Sequence, residues 1–180
     1  MIMWLPIEHP LYNDLYHYIH SSTINTNWYE SHMDQIRLID DGIEIVGLKF
    51  DILDLSAEVN DKDIWIHNNC YYFTFEMANY HAKRIGKRLP TVQEWKKFID
   101  FLPWDIQNKV LFLTQVMKFP LSWFRCWDNW FFCNFWEDAW YWSSTWTLTH
   151  WYNVLFKKNY LNHSDFDFKW IGFLARCLKN

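Results

Sequence analysis

The side chains in this 180-residue sequence best suited to hold a metal or to attack a substrate are four cysteines and eight histidines. The cysteines stand at Cys70, Cys126, Cys133 and Cys177 with no C-x-x-C among them, and the step from Cys126 to Cys133 is too loose for a ligand pair. Their even number permits disulfides, but buried free thiols are the commoner use of so few cysteines in a domain of this length. His17 and His20 share a helix face at i, i+3, yet no Asp, Glu or Cys neighbour completes a credible site, so they read as surface histidines. No catalytic residue, metal or cofactor is expected.

Recognition chemistry is abundant instead. The chain holds Trp 14, Tyr 10 and Phe 15 against Gly 4, and nine of the tryptophans fall between Trp123 and Trp170. Two uses of that cluster stay open. One is an aromatic-packed core, since buried rings pack well. The other is a recognition surface, because Trp and Tyr are enriched where binding energy concentrates. Both hold together if alternate residues along strands face opposite sides.

Those residues must be positioned by a single domain, which is what 180 residues normally build. Lys and Arg total 17 against 21 acids, a net charge of -4. That balance argues against binding to nucleic-acid phosphates and against a polybasic membrane surface. The apolar runs end well short of the ~20 residues of a membrane helix, and no cleaved leader is expected at the start. Leu11 to Ile19 has the stripe of a short amphipathic helix, ended by the polar stretch Ser21 to Asn27. Gln35 to Ile39 and Ile43 to Phe50 read as two strands joined at Asp40-Asp41-Gly42. Residues 51–63 read as an acidic surface loop, and Ile64-Trp65-Ile66 as a further strand.

The middle of the chain is more regular. Thr74 to Ile85 is helical in pattern, with Thr74 as N-cap and Gly86 as a left-handed C-cap. Thr91-Val92-Gln93-Glu94 is a capping box that opens a second helix over Val92 to Phe101. Asp105 to Met117 continues as a third helical segment. Trp151 to Phe156 reads as a strand with Tyr152, Val154 and Phe156 on its core face, and Ile171 to Leu178 as a closing strand.

Two of these stretches resemble a known superfamily. Gly86-Lys87-Arg88-Leu89-Pro90-Thr91-Val92-Gln93-Glu94-Trp95 is similar to the "G-K-R-L-P-T-x-x-E-W" segment of formylglycine-generating-enzyme-like domains, a string shared with bacterial surface domains of C-type lectin fold. Tyr141-Trp142-Ser143-Ser144-Thr145, then Val154 and Phe156, then Gly172 to Cys177, resemble the "Y-W-S-S-T … V-x-F … R-C" ending of those domains. Together they span about residues 70–180. The resemblance implies an α+β chain of C-type lectin fold, with two helices and a twisted antiparallel sheet, preceded by a small N-terminal helix and hairpin over 1–69.

Within that superfamily the copper-dependent oxidases are glycine-rich and carry a tight cysteine pair followed by arginine, which Cys126 and Cys133 do not match. The iron-dependent sulfoxide synthases carry H-x3-H-x-E, which is absent. Glu-Pro-Asn and Trp-Asn-Asp, the strings of calcium-dependent sugar binding, are absent too; Trp127-Asp128-Asn129 has the right residues in another order. The branch the chain resembles best is the variable protein of a diversity-generating retroelement, whose C-terminal surface is rewritten at adenine-bearing codons to bind protein or surface ligands. A fixed lectin-like module is the alternative, and an oxidase the distant one.

That resemblance implies a variable face and no catalysis, at a virion or cell surface. Asn159 to Phe168 holds only residue types that rewritten Asn codons can produce. The implied contact residues are Trp127, Asn129, Trp130, Asn134, Trp136, Trp146, Thr149, His150, Trp151, Asn153, Leu155, Asn159, Tyr160, Asn162, His163, Asp165 and Asp167. Strand parity singles out Trp151, Asn153 and Leu155, which lie opposite the core face of their strand. Trp95, Trp142 and Trp170 are expected to hold the scaffold.

Overall fold

Four polar side chains open helices. Ser22 accepts a hydrogen bond from the Asn25 amide, Thr74 from Met77, Thr91 from Glu94 and Asp105 from Asn108. Each satisfies an N–H that the first turn of a helix leaves unpaired. The computed structural model describes residues 8–56, 64–67, 69–120, 124–125, 132–133, 138–148, 150–157, 160–167 and 172–179, with 124–125, 132–133, 138, 157 and 160–167 described by backbone alone.

The N-terminal part comprises α1 (Tyr12–His20), α2 (Thr23–His32), a 3-10 turn at Met33–Gln35, and the strands β1 (Ile36–Ile39), β2 (Gly42–Ile45) and β3 (Leu48–Asp51). The stretch Ser21–Asn27, expected only to end a helix, also begins α2. Its anchor is Trp28, whose ring meets Phe101 at 5.5 Å and Phe112 at 5.6 Å. The run Ile43–Phe50, expected as one strand, folds back at Val46 and Gly47. Their φ values of 50° and 79° are the two positive angles of a tight hairpin turn. A β-branched residue is strained there. Val46 offsets this by packing against the core, and its carbonyl accepts from Lys97 Nζ at 2.7 Å.

Further along come β4 (Ile64–His67), β5 (Cys70–Phe73), α3 (Phe75–Arg84), β6 (Lys87–Arg88), α4 (Val92–Phe101), α5 (Ile106–Leu111) and a π-helical turn at Phe112–Val116. The C-terminal part holds β7 (Phe124–Arg125), β8 (Phe132–Cys133), β9 (Asp138–Trp146), β10 (Trp151–Lys157), β11 (Tyr160–Asp167) and β12 (Leu178–Lys179). Gly86 ends α3 with φ 73°, as its position predicts. The chain is therefore α+β, with five α-helices and antiparallel sheets among the described residues.

The largest sheet runs β1-β2-β3-β12-β6, so the last strand slots between an N-terminal strand and the one before α4. A second sheet runs β11-β10-β9, and α4 packs across it. Residues 172–179 are not the single closing strand expected from Ile171 to Leu178. Instead they change partner every residue or two. Phe173 exchanges backbone bonds with Phe73 at 2.9 and 3.1 Å, and Leu174 bridges β9 through Trp140 and Trp142 at 2.9 and 3.0 Å. Ala175 accepts from Leu55 at 2.7 Å, and Cys177 from Asp51 at 3.2 Å. One short segment thus ties both sheets and the 51–55 segment together.

Two hydrophobic clusters fill the interior. The larger gathers α1, the strands β1 to β3, α4 and the core face of β10 around Trp95 and Phe98. The smaller lies on the other side of β9 and β10, around Phe73, Phe75, Trp142 and Phe173. Both faces of that sheet are consequently covered at its centre.

Candidate functional site

The two stretches that carry the resemblance meet in space. Arg88 grips Glu94 with two nitrogens, at 2.7 and 2.6 Å, and the same carboxylate accepts the Thr91 amide at 2.8 Å. The guanidinium first, then the Thr91 amide, hold the Glu94 carboxyl below the ordinary carboxylate range against the opposing effect of burial. So braced, the start of α4 docks on β9: the Ser144 amide donates to the Pro90 carbonyl at 2.7 Å, and the Val92 amide to Thr145 Oγ1 at 2.9 Å. Behind them Trp95 Nε1 donates to the Trp142 carbonyl at 3.3 Å, and Trp142 Nε1 to the Phe73 carbonyl at 2.7 Å. Both tryptophans, expected to hold the scaffold, are fully buried.

Below this junction lies a charge pair between a buried Arg176 and a half-buried Asp54. Arg176 is fully enclosed; its Nε donates to Asp54 at 2.7 Å and Nη1 to the carbonyls of Asp51, at 2.9 Å, and Ile52. The guanidinium also stands 4.4 Å from the Phe119 ring centroid. Tyr141 donates its hydroxyl to the other Asp54 oxygen at 2.9 Å. Desolvation pushes the Asp54 carboxyl upward, with Arg176 and then Tyr141 opposing it. The Tyr141 hydroxyl is raised well above its usual range, first by burial and then by the Asp54 charge. The stretch 51–56, expected as surface loop, is therefore a structural anchor at Asp54 and Leu55. The available signal was Arg176 itself: a guanidinium inside the apolar run Phe173–Leu178 needs a carboxylate, though nothing in the sequence says which.

The expected contact residues divide three ways. Trp146 is 59% exposed and the neighbouring Leu148 94% exposed. They sit at the tip of the β9–β10 hairpin, where the Thr147 amide donates to the His150 carbonyl at 2.7 Å and the His150 amide to Thr147 Oγ1 at 3.1 Å. His150 and Trp151 are half-buried, Trp151 packing on Phe75 at 5.6 Å between ring centroids. Leu148, which no sequence pattern singled out, is the most exposed large apolar side chain among the described residues. The tip can thus offer apolar side chains from a backbone that already satisfies its own hydrogen bonds.

Asn153 and Leu155 are not at a surface. Both are buried, at 0% and 4% exposure. Parity correctly separates them from Val154 and Phe156, but the second face of the sheet is not open to solvent: Asn153 pairs with Trp142 and Leu155 with Trp140, on the side filled by the smaller cluster. Neither polar atom of the Asn153 amide finds a partner among the described residues. Register shifts flank this residue along both neighbouring strands. On β11, Tyr160 stands across from Lys157, Asn162 from Leu155, Asp165 from Asn153 and Asp167 from Trp151, with His163 at the register shift. Trp127, Asn129, Trp130, Asn134, Trp136, Thr149, Asn159, Trp170 and Cys126 lie outside the described residues.

Cys177 is buried, and desolvation, with the Asp51 charge adding, pushes its thiol up to about 12. Among the described residues no group of three or more His, Cys, Asp or Glu side chains could hold a metal ion, and no helix is long and apolar enough to cross a membrane. Set against protein-family models, curated proteins and solved structures, the chain matches none of them.

Proposed function

We propose that this chain is a binding protein of C-type lectin fold whose C-terminal surface is diversified by a retroelement to recognise variable protein or surface ligands. The observation that supports this most directly is the junction between Pro90–Trp95 and Trp142–Thr145. The two strings that carry the resemblance stand some fifty positions apart, yet they hydrogen-bond through Ser144 to Pro90 and through Val92 to Thr145. Two chance matches have no reason to meet. The division of labour fits as well: motif residues such as Trp95, Trp142 and Arg176 are buried, while Trp146 and Leu148 project at the hairpin tip. A stiff presentation of that kind lowers the entropy cost of binding.

Deep sequencing of the last third of this gene across its source population tests the reading. Substitutions should concentrate at adenine-bearing codons of the hairpin tip and of β11, while Trp142, Asn153, Leu155 and Arg176 stay constant because the fold needs or encloses them. A uniform sequence throughout would remove the retroelement and leave a fixed lectin-like module. Copper-dependent oxygen consumption with a cysteine peptide, lost on Cys126→Ser or Cys133→Ser, would replace both with the oxidase.

A further inference from the structure

His9 belongs to no motif and lies away from the proposed binding face, yet both of its ring nitrogens are engaged. Nδ1 is 3.1 Å from the Leu11 amide nitrogen, Nε2 is 2.8 Å from the Ile39 carbonyl oxygen, and the residue is buried. A backbone N–H can only donate and a carbonyl can only accept. The ring must therefore accept at Nδ1 and donate at Nε2, which a single neutral tautomer does. Leu11 is the residue at which α1 begins, and its own side chain caps nothing. His9 Nδ1 takes the part that a Ser or Asp oxygen takes at other helix starts, while its carbonyl accepts the Tyr12 amide at 2.9 Å. The other nitrogen fastens this helix start to the end of β1.

We propose that His9 is an acid-sensitive latch, releasing the start of α1 from the β1–β2 turn when its ring is protonated. A protonated imidazole has two donors and no acceptor, so an N–H at Nδ1 would face the Leu11 N–H. The new charge would also sit at the positive end of the α1 dipole. The charged groups on the elements that converge here are largely paired. Asp14 of α1 meets Lys118 at 2.8 Å, Asp41 of the turn meets Lys179, and Asp51 meets Lys87 at 2.8 Å. Asp54, which borders the same hollow as Pro10, meets Arg176 at 2.7 Å. Glu8 and Asp40 are the remaining carboxylates on the joined segments, and His17 and His20 lie in later turns of α1. Those four cations are engaged, and Arg37 of β1 is exposed and stands across from Glu44 of β2, so the latch turns on the ring's own two hydrogen bonds. Release is local, because Leu15 and Tyr18 stay buried in the main cluster and Tyr18 donates to the Asn108 carbonyl at 3.2 Å.

The test is nitrogen-detected NMR of the full chain from about pH 7.5 to about pH 5, the range in which imidazoles titrate. The expected result is an Nε2-protonated His9 ring at the upper end. Between the upper and lower ends of that range, exchange of the Leu11 amide should rise about fivefold to tenfold beyond its intrinsic pH dependence, the effect of losing one buried hydrogen bond. In His9→Asn the Oδ1 acceptor remains but does not titrate, and the rise should vanish. An Nδ1-protonated ring at the upper end, an unchanged Leu11 exchange in the unaltered protein, or the same rise in His9→Asn would each overturn the proposal.

Discussion

Replacing Asn153 with leucine should make the protein more stable, which is the reverse of what most core substitutions do. The side chain is fully buried in the central strand β10, and neither Oδ1 nor Nδ2 has a partner among the described residues. An amide buried without hydrogen bonds costs about 1–3 kcal/mol relative to a site that does not ask for them. Leucine keeps the branched outline and the heavy-atom count of asparagine, and its greater methyl volume takes back part of that gain. The net gain should be about 1 kcal/mol, and at roughly 2–4 °C per kcal/mol for a chain of this size the melting temperature should rise by about 2–4 °C. Thermal and urea melts followed by circular dichroism measure this directly, with the urea m-value unchanged if only stability has moved. Asn153→Asp is the complementary variant: it places a carboxylate in the same enclosure and should destabilise strongly. A loss of more than about 1 kcal/mol in Asn153→Leu would refute the reasoning, since it would mean that the amide is making hydrogen bonds worth that much.

Arg176→Met should cost about 3–5 kcal/mol, because it leaves the Asp54 carboxylate enclosed without its cation. Burial raises the Asp54 carboxyl in the folded state, so the stability that its protonated form contributes is present below the ordinary carboxyl value of 3.8 and is lost as pH rises through the folded value. The deficit of Arg176→Met against the unaltered protein should accordingly be smaller at about pH 4 than at neutrality, checked by urea melts at both. For Glu94 the sign reverses. Its folded value is lowered by Arg88, so its contribution is present above 4.5 and fades as pH falls through the folded value. Glu94→Gln should cost about 1 kcal/mol at neutrality, discounted for the exposure of Arg88, and should flatten that part of the acid profile. Gly42→Ala should cost more than about 2 kcal/mol, since the added Cβ would run into the Phe50 carbonyl oxygen. Gly47→Ala meets open space and should cost only about 1 kcal/mol, from its positive φ alone, a contrast that paired thermal melts resolve.

What could be read in the residues followed how local the interaction was. The capping box at Thr91 and Glu94, the N-cap at Thr74 and the left-handed Gly86 lie within four residues of the groups they serve, so spacing alone identified them. Helix α2 was hidden because its support is not local: Trp28 finds Phe101 and Phe112, more than seventy positions away. The split at Val46–Gly47 was hidden because a valine with positive φ is disfavoured on its own and is tolerated only against a core that the chain has yet to build. Of the implied contact residues, Trp146 is exposed, whereas Asn153 and Leu155 are enclosed. Parity tells which side of a strand a residue takes, and it does not tell what lies there.

Taken alone, the residues determined an aromatic-rich α+β chain, the start and stop of its two central helices, and the two strings on which the proposed function rests. These are properties of composition and of neighbours a few positions apart. Tertiary structure decided that the two strings dock, that Asp54 is the partner Arg176 must have, that residues 172–179 stitch both sheets together, and that β10 is covered on both faces. The physical reason is the same in each case. Whether a side chain meets water, a ring or a counter-charge depends on segments far away in sequence, and the free energy of burial is set by that meeting rather than by the residue itself.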